Sequence, residues 1–195
     1  METTMTNTII GTHNSFTYLP PARWYGYFML PFARCQSKTA AQQYDAGARC
    51  FDVRVRFDKR TGAPQFAHGL LLLRGNVLAE LKRLSLHAKG EMLYLRVVLE
   101  DTKALPYNET EFKTFCRFLQ SNFHSRFTLF QGNRKGDWKQ VVDFDFKPAL
   151  AQCVGSMAED ARWYEKIVPW FYARRMNRRN MANPPKADIA IYDFI

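Results

Sequence analysis

Ionisable side chains follow several short apolar runs in this sequence. His13 lies two residues after the run 8–11, and His68 directly follows the short run 65–67. Two imidazoles brought together could act as general base and general acid near neutral pH, the range in which histidine titrates. A carboxylate can hold such an imidazole in one orientation, and a guanidinium presents a fixed set of donors to phosphate oxygens. The residues that could fill these supporting roles are Asp52, Arg54, Glu100 and Asp193.

Each of these residues also has an ordinary structural explanation. A lone loop histidine is usually only polar, and Asp52 and Arg54, two apart on one strand face, would make a structural ion pair. Glu100 and Asp193 at strand ends could cap the following turns. Ionisable residues recur at the ends of several separate runs, and this recurrence favours a shared site. His87 and His124 fall in predicted helices and are given no role.

The predicted elements explain how such distant residues could meet. Residues 49–57 alternate with period two, so the apolar side chains face one way and Asp52, Arg54 and Arg56 face the other. Further strands are predicted at 8–11, 65–67, 92–99 and 189–192, and helices at 37–46, 76–87, 109–124 and 163–176, with Pro169 kinking or restarting the last. Residues 127–155 show only short strands and loops around 141–146. The helix at 76–87 is expected to bury Val77, Leu78, Leu81, Leu84 and Leu86.

Alternating strands and helices indicate a parallel α/β fold, in which the carboxyl ends of the strands converge on one face. We therefore expect one domain over residues 1–195, built as a compact, incomplete or distorted TIM-type β/α barrel. At 195 residues the chain is short for eight units. The two histidines are then expected to lie close together despite their separation in sequence.

Composition indicates the cellular location of the protein and the state of its cysteines. The opening residues do not read as a secretory signal and no apolar stretch approaches the roughly 20 residues of a membrane span, so a cytoplasmic location is the default expectation. The four cysteines lack paired spacing and are expected to be reduced.

A net charge of +10 favours an anionic partner: a phosphorylated substrate, a peripheral membrane surface or nucleic acid. The densest basic cluster, a membrane-binding patch or a solvated helix face, is Arg174, Arg175, Arg178 and Arg179.

Three ordered motifs, residues 11–15 (GTHNS), 47–56 (GARCFDVRVR) and 67–69 (AHG), resemble the X-domain of phosphatidylinositol-specific phospholipases C. The segment 192–194 (YDF) is similar to the last barrel strand of that family. The resemblance implies a distorted β/α barrel and a phosphodiesterase, a hydrolase or lyase of lipid metabolism that passes through a cyclic phosphate. It implies that His13 is the general base, His68 the general acid and Asp193 the partner of His13. Arg54 would bind the phosphate, and Asp52 also belongs to the catalytic set. Asn14 and Glu100 would contact the substrate.

The chain also departs from that family. Metal-independent bacterial members have Asp at the position of Asn14 and Lys at that of Glu100, whereas calcium-dependent members have an acid at the position of Arg54. Asn14, Asp52 and Glu100 could thus be calcium ligands, but Arg54 would lie almost on the ion, and like charges repel strongly in a partly dry site. We therefore expect no cofactor, with Glu100 pairing to Arg54, and keep calcium as the alternative.

Two other functions remain open at this stage. One is a catalytically silent module that binds anionic lipid or nucleic acid on the same fold. The other is a phosphodiesterase for a diester without inositol, because fold does not settle substrate. The headgroup and the oligomeric state are not readable from the sequence.

Overall fold

The computed structural model describes residues 8–100, 106–132 and 141–195. Its strands are β1 (Ile9–Thr12), β2 (Cys50–Phe57), β3 (Pro64–His68), β4 (Leu71–Leu72), β5 (Leu93–Leu99), β6 (Phe127–Gln131), β7 (Leu150–Cys153) and β8 (Ile189–Tyr192). Its helices are α1 (Leu30–Ala33), preceded by a 3-10 turn (Trp24–Met29), α2 (Ala40–Asp45), α3 (Val77–His87), α4 (Pro106–Phe123), α5 (Trp163–Ile167) and α6 (Pro169–Ala182).

Six parallel strands form a curled half-barrel in the order β7-β8-β1-β2-β5-β6. If the strands are followed around the curl from β1, through β2, β5 and β6, and then β7 and β8, they occur in chain order, as in a TIM-type barrel. The short strands β3 and β4 extend antiparallel from the carboxyl end of β2. Within the described residues no ladder joins β6 to β7. There the segment 141–149 takes an irregular path, and Phe146 packs on Tyr94 and Phe130.

The alternation of β2 sorts its side chains as the sequence predicts. Phe51, Val53 and Val55 are fully buried in the main apolar core beneath α3 and α4. The opposite face carries Asp52 and Arg54 into the interior of the half-barrel. Charged groups in such a place need partners, because burial of an unpaired charge is costly.

The α3 helix begins at a defined cap. The side chain of Asn76 accepts a hydrogen bond from the backbone N–H of Ala79, which satisfies one of the free donors of the first turn. Val77, Leu81 and Leu84 are buried as expected, but the prediction for Leu86 is wrong, since it is 67% exposed.

The sequence expectation for residues 127–155 also needs correction. The region 127–155 contains two regular parallel strands, β6 and β7, and the segment 141–146 contains none. The β6 strand pairs with β5 over five residues, so tertiary pairing specifies a strand that local pattern left unassigned. The expected interruption at Pro169 is confirmed, since α5 ends before it and α6 begins at it and continues to Ala182.

Among the described helices, none combines the length and the apolar character required to cross a bilayer.

Candidate active site

His13 and Asp193 are brought together by the pairing of the first and last strands. The β1 and β8 strands run parallel with Thr12 opposite Tyr192, so the residues that follow them lie side by side. Nδ1 of His13 lies 2.7 Å from Oδ1 of Asp193, and both side chains are almost completely buried. The carboxylate therefore fixes the orientation of the ring.

Arg54 lies at the centre of the site. Its Nε donates to Oδ2 of Asp52 at 2.9 Å, and its Nη1 donates to Oε2 of Glu100 at 3.3 Å. Its Nη2 lies 2.6 Å from Nε2 of His13. Burial alone would lower the pKa of Arg54, but the carboxylates of Asp52 and Glu100 more than offset this and raise it. Arg54 is thus a fixed positive charge in the interior.

These contacts define the tautomer of His13. A guanidinium can only donate, so Nε2 of His13 accepts from Arg54 and carries no proton. The proton is then on Nδ1, where it is donated to Asp193. An imidazole in this state offers the Nε2 lone pair to the interior, which is the form that a general base requires.

Asp52 is held ionised from several sides. Burial would raise the pKa of its carboxyl, but Arg54 and then Arg96 outweigh burial and hold that pKa well below its usual range. Nη1 of Arg96 lies 3.4 Å from Oδ1 of Asp52, and the backbone N–H of Asn14 donates to Oδ2 at 3.0 Å. Asp52 therefore both positions Arg54 and fastens the loop that carries His13.

His68 lies across the site from His13. The two ring centroids are 5.9 Å apart and the rings are nearly perpendicular, at 82°. Nδ1 of His68 lies 2.7 Å from the carbonyl oxygen of Ala33, so this nitrogen carries a proton and donates it. Burial, together with the positive charge of Arg54 and the nearby His13, lowers the pKa of His68 to about 4. The ring is thus neutral at pH 7 before any anion enters.

Glu100 connects the two sides of the site. One of its oxygens accepts from Arg54, and the other accepts from the backbone N–H of Gly69 at 2.8 Å. Gly69 has a φ of +58°, a conformation that glycine adopts without strain. Arg56 donates to the carbonyl oxygens of both Glu100 and Gly69. The loop that carries His68 is thereby tied to the strand ends beside Arg54.

The structure brings together all seven residues that the sequence nominated: His13, Asn14, Asp52, Arg54, His68, Glu100 and Asp193. The side chain of Asn14 lies 3.4 Å from Nε2 of His13 through its Nδ2 atom. These groups form one cluster, from residues within β2, at the end of β3 and just past the ends of β1, β5 and β8.

Three further residues of the site were not nominated. The Sγ of Cys35 lies 3.8 Å from Nδ1 of His68 and 3.9 Å from Nδ2 of Asn14. Burial, reinforced by Asp193, raises the pKa of the Cys35 thiol, which stays protonated. Gln36 donates to the carbonyl oxygens of His13 and Tyr192 and so joins the loops that follow β1 and β8. These two residues lie in an irregular segment without periodicity, so no sequence signal could have found them.

Arg96, the third, was visible only as an interruption of an apolar strand. It is 2% exposed and points into the half-barrel, where it supports Asp52. It passes close to Gly132, where an added Cβ would lie 2.3 Å from Nε of Arg96. A side chain at position 132 would therefore displace this arginine.

The site does not fit calcium. Asp52 and Glu100, the two acidic candidates for ligands, both hold the guanidinium of Arg54 at 2.9 and 3.3 Å. A divalent ion between them would face that charge at a few ångströms. Among the described residues, one group of donors meets the spacing of a metal site, His13, Cys35 and Asp193, and His13 also lies beside Arg54.

Exposed aromatic and apolar side chains occur in the segments that follow β1, β3 and β7. They place large apolar groups on the outside of a protein of +10 net charge. In the basic cluster, Arg174 stacks on Trp170, whereas Arg175 is bound by Glu165 and Asp160. The most exposed of these side chains are Trp24, Phe28, Leu70 and Trp163.

The fold is that of the bacterial phosphatidylinositol-specific phospholipases C. The enzyme from Listeria monocytogenes superposes with a TM-score of 0.64 over 97% of this chain and 88% of its own, at 16% identity. A double mutant of the S. aureus enzyme gives a TM-score of 0.67 over 95% of this chain and 84% of its own, at 14% identity. Another S. aureus structure, from work on membrane binding, gives 0.63 at 14% identity, covering 95% of this chain and 85% of its own.

No protein-family model and no curated protein matches the sequence. At identities of 14 to 16%, the structural similarity establishes the fold alone, and that fold is phosphodiesterase-like. The predicted class, a distorted barrel of the phospholipase C kind, is thereby confirmed.

Proposed function

We propose that this protein is a phosphodiesterase that uses His13 as general base and His68 as general acid. The observation that carries the proposal is the position of Arg54. It lies beside the unprotonated Nε2 of His13, and the centroid of the His68 ring is 5.9 Å from that of His13. A purely structural ion pair would not need two imidazoles beside it.

The reaction follows from these positions. A substrate hydroxyl at Nε2 of His13 gives up its proton as its oxygen attacks phosphorus. The bond from phosphorus to the leaving oxygen breaks, and His68 delivers a proton to that oxygen. When the attacking hydroxyl belongs to the substrate itself, the product is a cyclic phosphodiester. Arg54 places its donors on the phosphate oxygens, whose charge grows in the transition state.

Because the pKa of His68 is low in the free protein, its ring has to gain a proton before it can act as general acid. Burial and the positive charges around it disfavour the imidazolium. A bound phosphodiester brings a negative charge that offsets Arg54, so it should raise this pKa and allow His68 to take up the proton it later donates. The substrate thus helps to prepare its own acid catalyst.

We propose that the reaction needs no metal. The guanidinium of Arg54 already supplies the positive charge that calcium would bring, and it uses the carboxylates that calcium would need. Asp193 stabilises the imidazolium that forms on His13.

A phosphoinositide or related anionic lipid is the substrate class that we propose. The structural relatives are phosphatidylinositol-specific phospholipases C, and one of the S. aureus structures addresses the modulation of membrane binding. This chain adds its own support, since Trp24, Phe28, Trp163 and Ile167 are exposed on a basic protein. Aromatic and apolar side chains of this kind suit a peripheral membrane surface.

The test is incubation with a panel of phosphodiesters, including phosphatidylinositol, glycerophosphodiesters and sphingolipids, followed by phosphorus NMR. We expect a cyclic phosphate from an inositol lipid, and no turnover by folded His13→Ala or His68→Ala. His87→Ala, at an exposed histidine paired with Asp45, is the matched control and should keep full activity. If either active-site variant kept activity within tenfold of the parent, the acid–base assignment would be wrong. Binding without turnover of any diester would favour the silent lipid-binding module.

A further inference from the structure

A groove of about 730 Å³ lies beside the candidate active site. One wall comes from the 3-10 turn and α1, and the other from the start of α6. Its volume lies within the range of small-ligand sites, about 300 to 1,000 Å³. Its walls are mainly apolar, formed by Tyr27, Leu30, Pro31, Phe32, Val168, Trp170, Phe171 and Phe194, with Arg34 and Ser37 as the charged and hydroxyl-bearing members.

The groove is separate from the proposed catalytic groups but lies next to them in the chain. Arg34 precedes Cys35, and Phe194 follows Asp193. The backbone N–H of Phe194 donates to the carbonyl oxygen of Cys35 at 2.7 Å, which holds these two parts of the lining together. Neither histidine lines the groove.

Several aromatic side chains of the two walls remain exposed to water. Tyr27 and Phe32 on one wall are 54% and 55% exposed, and Trp170 and Phe171 on the other are 42% and 44% exposed. Large apolar side chains gathered around a cleft indicate a binding surface more often than scattered surface residues do. A flat bilayer surface would cover their edges without filling the cleft between them.

Arg34 gives the groove its charge. None of the ion pairs found within residues 8–100, 106–132 and 141–195 includes it, and its buried Nε has no hydrogen-bond partner there. Among the residues that the structure describes, no acidic side chain lines the groove. An unpaired buried donor is unfavourable, and an anion with several acceptor oxygens would satisfy it.

We propose that this groove binds a monoacyl anion of the fatty-acid type, with its carboxylate on Arg34 and its alkyl chain between the two walls. The apolar lining favours an alkyl chain, and the cation without an acidic partner favours an anionic head. The site is independent of the proposed catalysis, because neither His13 nor His68 contributes to it.

The test uses dodecanoate below its micelle concentration, titrated into the full chain and followed by calorimetry. We expect saturable binding that Arg34→Met weakens at least tenfold. Arg83→Met, at an exposed arginine paired with Glu80, is the matched control and should bind as the parent does. Butyrate, which has the head but almost no chain, should not bind measurably. Octyl glucoside, which has a chain but no charge, should bind weakly and show no dependence on Arg34.

A second variant tests the apolar walls. Trp170→Ala removes a half-exposed ring and should also weaken dodecanoate binding while leaving the fold intact by circular dichroism. Equal affinity in the parent and in folded Arg34→Met would overturn the proposal. So would binding to anionic vesicles without binding to monomeric dodecanoate, since that result indicates surface docking alone. Turnover of a soluble phosphodiester by the same variants should be unchanged, and a failure of the phosphodiesterase proposal would leave these binding results standing.

Discussion

The Nη2 atom of Arg54 lies 2.6 Å from Nε2 of His13, so the proposed phosphate-binding cation and the proposed base are in direct contact in the free protein. The contact keeps Nε2 unprotonated, because a guanidinium only donates hydrogen bonds. A substrate hydroxyl would take the place of Arg54 at this nitrogen, and the freed donors would turn to the phosphate.

Arg54 should be essential, and it should replace calcium. We expect Arg54→Lys to lower kcat by about 10² to 10³, since a single ammonium cannot keep the contacts to Asp52, Glu100 and phosphate at once. Activity of the parent should survive excess EDTA, while Arg54→Asp should be inactive unless calcium is added. Loss of parent activity on chelation, restored by calcium, would make Asn14, Asp52 and Glu100 ligands instead.

Glu100 should act on both sides of the site by positioning Arg54 and the loop of His68. Glu100→Gln keeps the size of the side chain but removes the charge and one acceptor, so either the contact to Arg54 or that to Gly69 is weakened. Hydrogen bonds to charged groups contribute about 1.5 to 3 kcal/mol, which corresponds to a roughly 10- to 100-fold loss in kcat.

The matched control for that change is Glu91→Gln, at a carboxylate paired with Arg49 on the surface. It should leave kcat unchanged. In Glu100→Gln the pH dependence of kcat/KM should also shift, because the variant alters the electrostatic surroundings of both histidines. A fall in thermal stability with an unchanged pH profile would show a structural role only.

His68 should make the protein less stable in mild acid. Its pKa of about 4 in the folded state lies below the ordinary value near 6.5, so the unfolded chain binds more protons between these pH values. Stability therefore rises with pH across this window and is lost as the pH falls from about 6.5 towards 4, by up to ~3 kcal/mol. Urea unfolding at a series of pH values measures it.

His68→Gln should remove most of that slope and retain a hydrogen bond to Ala33. A parallel slope in parent and variant would show that His68 is not the group responsible. Asp52, whose pKa is lowered by its arginine partners, loses its contribution only below about pH 4 and so falls outside this window.

The four arginines of the basic cluster should have two different roles. Neutralising Arg174, Arg178 and Arg179 together with glutamine should weaken binding to anionic vesicles by about 1 kcal/mol per residue near the surface, with the effect fading at high salt. Arg175→Gln should instead lower stability, because it leaves the buried carboxylate of Glu165 without its positively charged partner. Vesicle sedimentation and thermal unfolding separate the two. Unchanged vesicle binding in the triple variant would leave the three arginines as an ordinary solvated helix face.

The sequence by itself determined the strands with strong alternation or unbroken apolar character, and the polar residues at their ends. The alternation around Asp52 and Arg54 placed both on one strand face, and β8 is found at the predicted residues. Local patterns of this kind are found in the fold because the apolar face of each strand is buried away from water. They also nominated His13 and His68, since both stand just past an apolar run.

Only the tertiary structure decided how these strand ends meet. The parallel register of β1 and β8 sets Asp193 beside His13, a pairing across 180 residues that no local pattern contains. Cys35 and Gln36 reach the site through an irregular loop, and Arg96 reaches Asp52 from a neighbouring strand past Gly132. The β6 strand exists because β5 supplies its hydrogen bonds. Contacts between distant segments, which depend on packing rather than on local propensity, therefore made the site complete.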